Sequence, residues 1–196
     1  MLRDVNPSEI AEMEEQLIKE GMPEEEVKRL CDVHVAVFKD ALDQRVEPAS
    51  MPGHPVHTFR LENDALRQVV AEMEVLLSAL EGEKEVEWGK LEWTLKRLQE
   101  VENHYLRKEL QFFPYLEKHG ITGPPKVMWA THDDIRALFK KVHNTLTARD
   151  KDGVVAEGKL LVEAMSDMFY KEEKILFPMA LETLSEREWA EIKEGN

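Results

Sequence analysis

The chain has 196 residues, 42% of them hydrophobic and 34% charged, which is the balance of an ordinary globular domain with room for one real core. A formal net charge of −14 works against nucleic acid and anionic membrane surfaces as partners, because both would be repelled, and leaves small molecules, ions and basic proteins. The single cysteine, Cys31, rules out an internal disulfide framework and suits a reducing cytoplasm, and no stretch approaches the roughly 18 uninterrupted apolar residues of a membrane span.

In chain order, Asn6 as N-cap, Pro7 at the first helical position and Glu9 three residues on predict a short helix that Gly21 ends. Pro23 starts a second, on which Val27, Leu30, Val33, Val37 and Phe38 recur at helical period to about Leu42. Residues 1–45 therefore read as a small helical domain. Residues 46–55 form a linker, because Pro48, Pro52, Gly53 and Pro55 exclude regular structure. Four long helices follow, over about 56–80, 86–118, 125–148 and 154–179, separated by Glu81-Gly82-Glu83, by Gly120 to Pro124 and by Asp150 to Gly153. They make a bundle over residues 56–182. A tail helix occupies 183–196, opened by a Ser185 and Glu188 capping box and tied to the bundle through Trp189.

The bundle sequence repeats itself. His104 to Pro114 reads H-Y-L-R-K-E-L-Q-F-F-P and Met168 to Pro178 reads M-F-Y-K-E-E-K-I-L-F-P. Glu109 matches Glu173, Lys108 matches Glu172, and both copies close on Phe-Pro. Upstream, Asn63-Asp-Ala-Leu-Arg67 stands in the same relation to the first copy as His132-Asp-Asp-Ile-Arg136 does to the second. Each half is one helical hairpin that cannot bury its apolar stripe alone. The expected fold is thus all-α, an antiparallel up-down four-helix bundle with repeated polar residues facing inward.

His104, His132, Glu109, Glu172 and Glu173 sit at repeated offsets on the predicted bundle helices, and imidazole with carboxylate suits iron, manganese or zinc. A helix turns about 100° per residue, so Glu109, five residues after His104, lies about 140° away from it, whereas Lys108 lies about 40° away. His57 and Glu62 on the first helix could supply replacement ligands. A lysine beside His104 either extends outward or faces something anionic, and Arg107, Arg136 and Lys171 could serve the same anion. Met168 reads first as core packing. Cys31 and His34, one turn apart, read as a packed cysteine and a docking histidine; His54 caps a helix; His119 and His143 read as surface residues. No nucleophile, poised acid–base pair or phosphate loop is visible, so binding is expected rather than turnover.

On these residues the chain resembles the hemerythrin-like HHE cation-binding domains over roughly 54–180. In those domains each half supplies a His on one helix and a His-x-x-x-Glu followed by Phe-Pro on the next. The first 45 residues, with P-S-E-I-A-E-M-E-E-Q-L-I-K-E-G and L-C-D-V-H, resemble the small helical domain of unknown function that often precedes one. The resemblance implies a non-haem iron site, or another ion such as zinc or manganese, used to sense or handle oxygen, nitric oxide or iron. A small diatomic ligand is implied with it, and the N-terminal helical domain offers a surface for a protein partner or a second copy. Three family ligand positions are changed: Asn63 replaces a His, Lys108 a Glu and Met168 a His. Losing these ligands opens two alternatives. One is haem, with Met168 and a histidine as an axial pair; the other is a metal-free bundle that binds a partner. The site expected here uses His104, His132, Glu109 and Glu172, with Glu173 and His57 beside them.

Overall fold

The computed structural model describes residues 13, 15–23, 25–30, 33 and 52–194. The expected helix start at Asn6, the Cys31 and His34 pair and the linker before Pro52 lie outside the described residues.

Helix α1 spans Pro55–Glu81, α2 Trp88–Leu98 and α3 Val101–Arg107. A π-helical turn, Lys108–Phe112, leads into α4 at Phe113–Lys118; α5 covers Gly123–Thr147 and α6 Lys151–Lys171. A second π turn, Glu172–Leu176, leads into α7 at Phe177–Thr183, and α8 runs over Glu186–Glu194. Ahead of them, residues 15–19 and 25–30 are helical. This is the all-α up-down bundle, with N-terminal helical pieces and a C-terminal helix, that the repeat predicts.

The second bundle helix departs from expectation. Residues 86–118 read as one unbroken helix, yet it stops at Leu98 and restarts at Val101. Gln99 and Glu100 close a turn in which the Glu100 N–H donates to the Arg97 carbonyl at 3.2 Å and the Glu102 N–H to the Gln99 carbonyl at 3.1 Å. The fourth helix begins three residues earlier than expected. Arg149 takes a left-handed φ of 56°, and the Asp150 carboxylate accepts the Gly153 N–H at 3.1 Å to cap the new helix.

By its contacts the chain forms two compact units. One holds Phe59–Tyr105 and Thr131–Phe169. Its core takes Leu66, Val69, Val70, Met73, Leu77 and Leu80 from α1, at the three- and four-residue spacing of one helix face, together with Leu91 and Leu95 from α2, Ile135 and Phe139 from α5 and Leu161 and Met165 from α6. Gly158 lets α6 approach α1, since a Cβ there would stand 2.7 Å from a Leu77 methyl.

The other unit holds the described residues up to Thr58 with Leu106–Ala130 and Tyr170 onward. Phe112, Phe113, Leu116, Leu176 and Phe177 are fully buried in it. The Phe112 ring lies 6.5 Å from Phe177 and 5.4 Å from Trp189. The tail is therefore seated through Trp189, as its sequence predicts. The capping box forms as well: the Ser185 N–H donates to Glu188 at 2.9 Å and the Glu188 N–H to the Ser185 hydroxyl at 3.4 Å.

The described N-terminal residues dock in this same unit, at the start of α5. Glu15 accepts the N–H groups of Thr122 at 2.8 Å and Gly123 at 2.6 Å and the Thr122 hydroxyl at 2.8 Å. It thus supplies from a distant segment the acceptor that a helix N-terminus needs. Burial works to raise the Glu15 pKa, but these donors hold it below the ordinary carboxylate value. Leu17, Ile18 and Met22 pack on buried Val27 and Val127 beside it.

Candidate functional site

In the unit containing α2 and α3, the polar centre is His104. Its side chain is buried, and Nδ1 lies 2.8 Å from a Glu62 carboxylate oxygen. That contact orients the ring, with Nδ1–H as the donor to the carboxylate. Glu62 is 28% exposed, so its charge stays in touch with water while it holds a dry imidazole. Phe59 meets the imidazole edge-on at 5.2 Å between ring centres.

His132 on α5 is wholly buried and stacks on Tyr105 at 3.9 Å and 11° between planes. The same Tyr105 ring lies 6.0 Å from His104, so both imidazoles rest against one tyrosine. Tyr105 also lines a groove of about 540 Å³ with Glu102, Phe139 and His143. Arg136, at its rim, is forked onto Glu102, with Nε at 3.0 Å and an Nη at 2.9 Å, and reaches Asp133 at 2.8 Å. It is not a vacant anion receptor.

In the other unit, Lys108 and Glu172 form a direct ion pair, and both side chains are 0% exposed. Of the two sequence alternatives for Lys108, extension to solvent does not hold and the facing anion does. That anion is a carboxylate of its own chain. Glu109 is buried too, at 4% exposure, although an α-helix would have carried it well off the Lys108 face.

A π turn begins at Lys108. The Phe113 N–H reaches back five residues to the Lys108 carbonyl, and the Phe177 N–H does the same to Glu172. One extra residue is thereby accommodated in each turn. Each turn precedes a Phe-Pro step because a proline ring in a regular α-helix collides with the carbonyl four residues back and cannot donate to it. Widening the turn just before Pro114 and Pro178 relieves that collision.

The residues expected at the site are divided between the two compact units. His104 and His132 are in one unit; Glu109, Glu172, Glu173 and His57 belong to the other. Glu173 and His57 are half-buried, and Met168 is fully buried. Among the described residues no three His, Cys, Asp or Glu side chains come together as a metal-ligating group. A dinuclear centre therefore does not fit this donor set: an ammonium stands against one of its carboxylates, and Asn63 and Met168 replace two of its imidazoles. Of the expected nitrogen donors, His104 and His132 each lie against Tyr105. The sequence offers Glu62 only as a replacement ligand and marks Tyr105 only as the aromatic that follows the first position of the repeat, as Phe169 does in the second copy.

Two other histidines have partners that the sequence does not show. His119 is exposed, as expected, and its Nε2 lies 2.8 Å from Glu188 in the capping box, so it also tethers α8. His54 does cap its helix, accepting the Val56 N–H at 3.2 Å, and its ring also lies 4.6 Å from Trp189 at a 55° tilt. Burial, and then the nearby Lys193 ammonium, hold the His54 pKa below its usual value.

Among the described residues no helix is long and apolar enough to cross a membrane. Residues 1–44 match the family model described as Family of unknown function (DUF438). Curated proteins give no significant match. Residues 54–180 match the model described as Hemerythrin HHE cation binding domain, and since that span is well over half of the chain and carries the repeated helix, π turn and Phe-Pro step, the chain belongs to the hemerythrin HHE cation-binding family.

Proposed function

We propose that the chain is a binding protein that holds one transition-metal ion, iron by the family's chemistry, through His104 and His132, and that it senses or handles iron or a small diatomic ligand without turnover. The observation that carries this reading is the His104–Glu62 pair. A metal-binding imidazole characteristically gives its other ring N–H to a carboxylate, which fixes the tautomer and raises the basicity of the ligating nitrogen. His104 is buried and has that arrangement. His132, against the same tyrosine, is the second nitrogen donor. A bound ion would supply open coordination positions for a small ligand, and the groove beside Tyr105 gives such a ligand a way in. The residues themselves bind and orient; none is poised as a nucleophile or an acid–base pair.

The test is elemental analysis of protein purified without chelator or metal-affinity tag, followed by anaerobic titration with Fe(II). The expected result is about one ion per chain, with affinity at least about 10-fold weaker in His104→Ala/His132→Ala. Equal metal content in wild type and double variant would remove these histidines from the site. A Soret band on haem addition that is lost in Met168→Ala would replace the reading with haem binding.

A further inference from the structure

The two π turns begin at equivalent places in the repeat, Lys108 in the first copy and Glu172 in the second. These two residues are also each other's partners, in direct contact and with neither side chain exposed. Had the repeat kept the same residue at both places, two carboxylates would face one another away from water. Like charges so placed are tolerated only with a bound cation between them or with a proton held on one. The chain has neither requirement, because one member of the pair brings its own positive charge on a four-carbon stem.

We infer that the Lys108 ammonium is a built-in cation, covalently supplied in the place of a metal ion, which satisfies Glu172 and closes this half of the bundle to metal. The inference goes beyond the single-ion reading, which draws on His104 and His132 and on neither Lys108 nor Glu172. The other equivalent positions lean the same way. Asn63 answers His132, and Met168 answers His104, so each pair has exchanged one metal donor for a neutral side chain. Only at positions 108 and 172 is the exchange a reversal of charge, and only there do the two side chains meet in an ion pair that the structure displays.

Two consequences separate a built-in cation from an ordinary ion pair near a metal. The unit holding the two π turns should need no metal to fold, and Glu172 should contribute nothing to metal affinity. A buried pair loses far more when one partner is removed than when both become apolar, because the single change strands a charge.

The experiment uses the full chain and follows thermal unfolding after exhaustive chelation, in wild type, Lys108→Met, Lys108→Met/Glu172→Leu and Lys108→Glu, with metal content measured in parallel. Lys108→Met should lower Tm by roughly 10 °C, and the double variant should recover most of that loss. Lys108→Glu, with two facing carboxylates, should be at least as destabilised in chelator as Lys108→Met. Bound metal per chain should be the same in wild type and in the double variant.

Lys108→Met or Lys108→Glu as stable as wild type in chelator would overturn the inference. So would a double variant that loses metal, since Glu172 would then be a ligand. Should the single variants fail to fold, the double variant still decides through its Tm and its metal content. Failure of the single-ion reading appears elsewhere, as unchanged metal content in His104→Ala/His132→Ala, and the two failures cannot be confused.

Discussion

The two copies of the repeat have nearly the same backbone and different chemistry. Each runs from α-helix through a five-residue π turn into a helix opened by Phe-Pro. At the positions that face inward the copies part: His104 against Met168 and Lys108 against Glu172. The difference teaches that the widened turn belongs to the backbone and its proline, not to a ligand that the turn must hold. One copy builds it from Lys-Glu-Leu-Gln-Phe and the other from Glu-Glu-Lys-Ile-Leu. A π turn that formed only around a metal would not tolerate a lysine at its first residue in one copy and a glutamate in the other.

The comparison can be broken at its strongest point by removing one carboxylate from each polar centre. Glu172→Ala strands a fully buried ammonium and should cost about 3–5 kcal/mol. Glu62→Ala removes a partly exposed carboxylate and leaves the His104 Nδ1–H without that partner, so its cost should be about 1–2 kcal/mol. Urea unfolding of both variants measures the two values. Equal costs would mean that the dry ion pair and the half-solvated imidazole contact do the same job, and the contrast between the centres would fall.

A smaller effect sharpens the account of the N-terminal segment. Glu15 caps α5 from a distance of more than a hundred residues in sequence and is the only described carboxylate shown accepting the Thr122 and Gly123 N–H groups. Glu15→Ala should therefore cost about 1 kcal/mol, the usual value of an N-terminal cap. Hydrogen exchange should report the loss as faster opening of the first turn of α5, with α6 unchanged. An unaltered first turn would show that the apolar contact of Val27 with Val127 seats the segment by itself.

Much of the fold was legible because its signals are periodic. The apolar spacing of α1 and α5, the capping box at Ser185 and the paired Phe-Pro steps each declare themselves within a turn or two of helix. The break at Gln99 did not, since Gln99 and Glu100 are both acceptable helix residues and no glycine or proline marks the stop. The π turns were hidden for a related reason. A single i→i+5 turn shifts everything after it by one residue, and a periodicity read across it still looks helical.

The candidate site was legible as a set of residues and not as an arrangement. His104, His132, Glu109 and Glu172 could be picked by residue type and repetition. What each one touches depends on partners far away in sequence, such as Glu62 for His104 and Glu172 for Lys108. Lys108 drew attention as a charge out of place, and the carboxylate that answers it lies in the other copy of the repeat, where it had been assigned to a metal. His119 failed to announce Glu188 in the same way, because the partner was already accounted for as half of a capping box.

That last contact yields the smallest and most local prediction. Three donors converge on Glu188: first the backbone N–H of Ser185, then its hydroxyl, then the His119 ring. Together they depress its pKa from 4.5 to about 2. A carboxyl whose folded pKa is lowered stabilises the fold above its unfolded value, and that contribution fades as pH falls from about 4.5 through about 2. Acidification across this window should loosen α8 and the seating of Trp189 before the rest of the bundle, visible as a change in tryptophan fluorescence. Ser185→Ala removes the hydroxyl but keeps the backbone donor, so the Glu188 pKa should climb only part of the way back toward 4.5, and the fluorescence midpoint should rise with it. Carbon-detected NMR of the Glu188 carboxyl tracks the titration directly. A Glu188 that titrates near 4.5 in the wild type would show that the capping box is open in solution, and with it the tether that holds the tail of the second copy.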